Sequence, residues 1–260
     1  MSLTVYGHPA SQPSRTVFWA CLLGGLNFTL ASTAELNLDT GATNPRGQVP
    51  SILDGDYCLA EAAAIVWYLG EKHGWRDMYP EDLEEQARVH QFINMHHTLV
   101  RLATYHLMAP HVVKPLALPV SDPNPLSIFQ SDALAQSFAT DDPAVTGGEI
   151  VSVISGFLDG HYFYDDAEFL CGGSQATVAD LICYSEIGQF TYANLFDFTP
   201  YPKISRWLKA MQQLPFHDVV HTYNIELGDI RTSPNNMARF LSASEKCIEA
   251  MVSTGLVSRS

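Results

Sequence analysis

Residues 3–31 read LTVYGHPASQPSRTVFWACLLGGLNFTLA, and this stretch decides the fold. Leu3 to Tyr6 is a short run of β-favouring types closed by Gly7-His8-Pro9, which predicts a strand and then a break. Pro13 suits a first helical turn, Val17 to Leu23 is apolar, and Gly24-Gly25 supplies a stop. A buried helix is expected between them. Phe28 to Ala31 predicts a second strand, and because a helix provides the crossover, the two strands should pair in parallel.

Further along, Ser51 to Leu59 carries Asp54-Gly55 between two short apolar runs, a hairpin signal. Glu61 to His73 has Ile65, Tyr68 and Leu69 at helical spacing and ends before Gly74. The order β-α-β, then β-β-α, fits within about 80 residues, a compact α/β domain by size. Beyond Tyr79-Pro80 the pattern becomes helical, opening on the acidic pair Glu81-Asp82 and running through Val89, Phe92, Ile93, His96 and Leu99. The domain boundary is expected at 76–82. Prolines at 110, 115, 119, 123 and 125 predict a kinked connection or exposed loop, and Asp141-Asp142-Pro143 a further break. Thr177-Val178-Ala179-Asp180 reads as a capping box opening a buried helix, with further helices over 204–214 and 243–252.

The chain has 260 residues, long enough for two domains, with 47% apolar and 16% charged residues. That balance supports a packed core and argues against disorder. A formal charge of −14 repels phosphate backbones and anionic bilayers, so neither nucleic acid nor membrane is an expected partner, while a local basic pocket for a small anion stays compatible. Five cysteines form no Cys-x-x-Cys pair, which argues against a disulfide framework or zinc site and for reduced thiols in the cytoplasm. The N-terminus lacks a basic region followed by a long apolar run, and no run reaches the length of a membrane span. His217 and His221 share a helix spacing of four but lack the Glu of a zinc-protease pattern and a third ligand, so no metal is expected.

Val5-Tyr6-Gly7-His8-Pro9-Ala10-Ser11 resembles phi-class glutathione transferases, and Ser11-Gln12-Pro13-Ser14-Arg15 resembles the theta class. Further likeness lies in Asn44-Pro45 with Gln48-Val49-Pro50, in Asp54-Gly55-Asp56, in Leu59-Ala60-Glu61 before an apolar helix, and in the Thr177–Asp180 helix start. The resemblance implies a thioredoxin-like α/β N-terminal domain over 1–78 and an all-α domain over 84–224. Residues 225–260 are then an extension of unassigned role. It also implies a homodimer that conjugates glutathione to a hydrophobic electrophile, a detoxification chemistry with no cofactor beyond glutathione as co-substrate.

Such chemistry must favour the thiolate, because a thiol with a pKa of about 8.5 is mostly protonated at neutral pH. The resemblance assigns that task to Ser11, whose hydroxyl would hydrogen-bond the sulfur, with a helix dipole assisting. Local sequence alone reads Ser11 as a helix cap. Tyr6 is a second candidate activator, or a core strand aromatic. Gln48, Val49 and Pro50 would pair with the extended peptide across a cis Val49-Pro50 bond, and Glu61 and Ala62 would hold the γ-glutamyl end at a helix N-terminus. Ala62 replaces the family's usual serine, and residues 38–43 lack its basic pair. His97 and Arg101 fall where the second-substrate pocket should begin, and Thr98 stands where the family carries an acid that reaches across the dimer. These departures support a rival reading as a non-catalytic binding or scaffold module. Thiol–disulfide exchange would need a cysteine near residue 11, and Cys21 is poorly placed for it.

Overall fold

The computed structural model describes residues 3–32, 44, 48–112, 114–116 and 143–260. Strand β1 (Leu3–Tyr6) leads into helix α1 (Gln12–Leu23) and strand β2 (Phe28–Ala31), followed by the hairpin β3 (Ser51–Asp54) and β4 (Tyr57–Ala60) and helix α2 (Ala62–His73). β1 and β2 pair in parallel with Val5 opposite Leu30, and β3 runs antiparallel to β1 with Ile52 opposite Val5. Val5, Leu30 and Ile52 therefore share one face, and all three are buried in the main core. Tyr6 and Ala31 bury the other face with Val49 and Leu53 packed against them. Tyr6 is thus a core strand aromatic, the simpler of its two readings. Gly55 turns the hairpin at φ 63°, a conformation open to glycine.

Helix α1 is buried from Ser14 to Leu22 because it lies between the sheet and the helical half. Its Trp19 donates to the carbonyl of Pro215 at 2.9 Å, and its Thr16 hydroxyl meets that of Ser185 at 3.1 Å. The helical half comprises α3 (Leu83–His96), α4 (Val100–Ala103), a π-helical turn (Thr104–Met108), α5 (Ala109–Val112), α6 (Pro143–His161), α7 (Val178–Ile187), α8 (Gln189–Ala193), α9 (Pro202–Met211), α10 (His217–Leu227) and α11 (Met237–Ser253). Asp82 caps α3 by accepting from Glu84 and Glu85, and the expected box opens α7. Burial pushes the Asp180 carboxyl up to about 6 against the pull of its hydrogen-bond donors. His217 and His221 sit in an aromatic cluster with Trp19 and Tyr184, where His217 Nε2 lies 2.7 Å from the Tyr184 hydroxyl.

Several elements differ from their sequence reading. The first long helix stops at His96 rather than continuing through Leu99, whose φ of −127° and ψ of −73° break the run before α4. Pro110 lies inside the short helix α5, while most of the proline-rich stretch lies outside the described residues. Helix α11 is longer than its expected core, since Asn236 caps it by accepting from Arg239. The last strand β5 (Val257–Arg259) pairs in parallel with β2, giving a five-stranded sheet of order β4-β3-β1-β2-β5. Residues after 225 thus run back from the helical half to the sheet edge. Among the described residues, no helix is long and apolar enough to cross a membrane.

Candidate active site

A cleft of about 270 Å³ opens between the sheet unit and the helical half. The sheet side contributes Pro13, Thr16, Asn44, Gln48, Val49, Pro50 and residues 60–63; the helical side contributes His96, His97, Arg101, Tyr105, Ile182 and Glu186. The fold therefore gathers seven of the expected site residues: Gln48, Val49, Pro50, Glu61, Ala62, His97 and Arg101. Ser11 lies outside that lining, two residues before Pro13.

The wall at 48–50 has a cis Val49-Pro50 bond. Its position is fixed by Asn44, whose amide donates to the Gln48 carbonyl at 2.9 Å and to the Ser51 hydroxyl at 2.7 Å. Ser51 donates in turn to the Gln48 carbonyl at 3.1 Å. Asn44 belongs to the Asn44-Pro45 likeness, and its task at the wall is visible only in the fold. Glu61 precedes α2 with φ 74° and ψ 116°, a backbone conformation that is strained for a residue with a Cβ. The Glu61 side chain makes no capping bond to α2, and the opening N–H groups of that helix, which lack intrahelical partners, begin at the cleft wall. The missing hydroxyl at Ala62 leaves that helix start with backbone donors alone.

Ser11 caps α1: its Oγ accepts from Ser14 N–H at 3.3 Å. Its own N–H donates to the His8 carbonyl at 2.9 Å, and its carbonyl accepts from Arg15 N–H at 3.0 Å. The side chain is half-buried. Residues 38–43, where the basic pair was expected, lie outside the described residues.

On the helical side Arg101 Nε stands 2.8 Å from Glu186 Oε1, although its N–H does not point along that contact. The other carboxylate oxygen of Glu186 accepts from the Thr104 hydroxyl at 2.5 Å. Glu186 was not among the expected site residues; its signal in the sequence is a single acid in the otherwise uncharged run Leu181 to Ile187. His96 also lines the cleft. Its Nδ1 donates to the Ile93 carbonyl at 3.0 Å, which leaves Nε2 a buried lone pair without a partner. Burial, with His97 and Arg101 adding to it, lowers the His96 pKa to about 3, so the ring is neutral at any physiological pH. Thr98 is exposed and donates to the Met95 carbonyl at 3.1 Å.

A family model described as the glutathione S-transferase N-terminal domain matches residues 5–79. Glutathione S-transferase theta-3 of Mus musculus is 30% identical over 218 residues, covering 82% of this chain and 83% of that protein. Glutathione S-transferase T2 of Arabidopsis thaliana is 29% identical over 239 residues, covering 85% of this chain, which spans only 36% of that relative's length. The apo form of human glutathione-S-transferase T1-1 superposes with a TM-score of 0.66 over 97% of this chain and 99% of the human one, at 22% identity. That last likeness is one of fold.

Proposed function

The chain belongs to the glutathione S-transferase family, and on that premise we propose that it transfers the glutathione thiolate to electrophilic small molecules. The observation that carries this reading is the meeting of residues 48–50 and 61–62 with His97 and Arg101 around one cleft. In this reading the peptide of glutathione lies along Gln48, Val49 and Pro50. Its γ-glutamyl carboxylate is held by the backbone N–H groups at the start of α2, and its amino group by the Glu61 carboxylate. The electrophile occupies the side formed by His97, Arg101 and Tyr105.

Ser11 is the proposed thiol-activating residue. Its Oγ accepts from Ser14 N–H, and a hydroxyl that accepts still has its proton to donate, here to the sulfur. Donation to the charged form lowers the thiol pKa, and the thiol proton leaves to solvent. The thiolate then attacks the electrophilic carbon: a C–S bond forms, and in a substitution the bond to the leaving group breaks with its electron pair. The chemistry calls on no cofactor beyond glutathione as co-substrate.

Homodimerisation and a cytoplasmic setting belong to the same proposal. Tyr57, Trp67 and Leu83 are exposed apolar side chains on β4, α2 and the start of α3, of the kind that a second copy would cover. The cysteines Cys21, Cys58, Cys171, Cys183 and Cys247 are unpaired, as suits a reducing compartment. Retention on immobilised glutathione together with turnover of a generic aryl halide tests the function. Loss of both would remove the glutathione reading, and retention without turnover would leave a binding module.

A further inference from the structure

Beneath the loop that carries Ser11 lies a charge that the proposed mechanism does not use. Arg15 is fully buried. One Nη donates to the Pro9 carbonyl at 2.8 Å, and the other to the Ser185 carbonyl at 3.0 Å and to Gln189 Oε1 at 3.2 Å. Its Nε has no partner. Among the described residues, no carboxylate lies within ion-pair distance of this guanidinium. Taking such a charge out of water is costly unless an opposite charge accompanies it, and carbonyl dipoles alone compensate only in part.

The acid within reach of its field is Glu186. That carboxylate is already engaged by Arg101 and Thr104. Gln189 stands between the two systems: its Nε2 donates to Thr104 Oγ1 at 3.1 Å while its Oε1 accepts from Arg15. The other titratable groups whose fields reach Arg15 are His8 in the loop, Tyr184 on α7, His221 and Tyr223 on α10, and Cys247 on α11. Burial keeps all of them neutral near pH 7, lowering the two histidines and raising the tyrosines and the thiol, Cys247 to about 11. Arg15 itself is lowered by burial only to about 10 and stays protonated. Among the described residues two guanidinium groups therefore face one carboxylate, and the array Arg15, Gln189, Glu186, Arg101 carries a net positive charge behind Ser11.

We propose that Arg15 is a positioning residue of the transfer reaction. Its charge, which no carboxylate among the described residues pairs with, is held against the Pro9 carbonyl two residues before Ser11 and stabilises the glutathione thiolate, and Gln189 bridges it to the Glu186–Arg101 pair without neutralising it. The inference rests on the reading of the cleft as a glutathione site with Ser11 at the sulfur. A unit charge at a separation of order 10 Å and an effective dielectric of about 20 shifts a thiol pKa by about one unit.

The test is thiolate absorbance titrated against pH with glutathione bound to four full-length proteins: wild type, Gln189→Glu, Glu186→Gln and Ser11→Ala. Gln189→Glu sets a carboxylate against Arg15 and should raise the thiol pKa by about one unit. Glu186→Gln removes the array's only negative charge and should lower it by a similar amount. Structural damage moves both variants upward, toward the value of free glutathione, so the opposite signs report charge rather than packing. Shifts of the same sign, or none in either variant, overturn the role of Arg15; if Ser11→Ala still raises the pKa, the assignment of Ser11 survives that result. Opposite shifts with no effect of Ser11→Ala uphold Arg15 and remove Ser11. A wild-type thiol that titrates like free glutathione ends both readings.

Discussion

The start of α7 and the starts of α1 and α2 obey the same rules of helix capping, yet they are finished differently. At α7 every polar group is used. The Thr177 hydroxyl accepts from Ala179 N–H at 3.3 Å and donates to Asp180 Oδ2 at 3.0 Å. Asp180 also accepts from the backbone of Thr177 and Leu170, both at 2.8 Å, and from the Trp207 indole at 2.9 Å. The acid is fully buried. At the cleft, by contrast, Ser11 accepts one long bond, Ser14 Oγ and Arg15 Nε behind it are buried without partners, and the residue before α2, Glu61, makes no side-chain capping bond to it. A saturated helix start holds the fold together. An unsaturated one keeps donors available for a ligand, at a cost in stability.

The largest effect should come from the saturated end. Asp180→Ala removes the acceptor for four donors in a site that water does not reach, and each buried donor left unpaired costs about 1–3 kcal/mol. A loss of about 3–5 kcal/mol is expected in denaturant unfolding at pH 7.5, where the carboxylate is ionised. A loss below about 1 kcal/mol would show that the box is dispensable and would break the contrast. Ser11→Ala should reverse the pattern, with no more than about 1 kcal/mol of stability lost with the cap. Turnover at neutral pH should fall at least about tenfold, the equivalent of 1.4 kcal/mol, and recover in part as rising pH ionises the thiol unaided. Peptide binding should persist if residues 48–50 and 61–62 supply it, as proposed. Full activity in this variant would move the thiol-activating role to another group.

The capping signals at residues 11 and 177 were both legible, because a hydroxyl before an apolar helix is a local pattern. What separates them is not local. Asp180 is saturated because α9 delivers Trp207 and the chain at Leu170 turns back onto it, contacts 27 and 10 residues away. The β-α-β and hairpin units were legible for the same reason that caps are: alternation, glycine stops and an Asp-Gly turn act over a few residues. The pairing of β5 with β2 joins residues 257–259 to 28–30, and three residues at the end of a chain carry too little pattern to announce a strand. Glu186 stood out only as a lone acid in an uncharged run, and its place at the site was not legible, since its meaning depends on Arg101 reaching it from another helix. The break after His96 and the π-helical turn at Thr104–Met108 also escaped, although they set Arg101 and Tyr105 against the cleft.

The smallest predicted effect concerns the third helix start, where the contrast can be narrowed by one atom. Ala62 is the first residue of α2 and lines the cleft, and Glu61 before it makes no capping bond to the helix. If this start holds the γ-glutamyl carboxylate through backbone N–H groups, then Ala62→Ser adds one donor beside them without disturbing the backbone, and the hydroxyl finds an acceptor only when glutathione is bound. Calorimetric affinity should then tighten by about 0.5–1.5 kcal/mol, the usual net value of one hydrogen bond. The stability of the ligand-free protein should change by less than that, because a half-buried serine at the first turn whose hydroxyl faces the open cleft gains little on its own. A variant that is stabilised without ligand, and whose affinity is unchanged, would mean that the new hydroxyl had satisfied the helix rather than the substrate. In that case the start of α2 would resemble α7 more than α1, and the carboxylate of glutathione would have to be held elsewhere along the cleft.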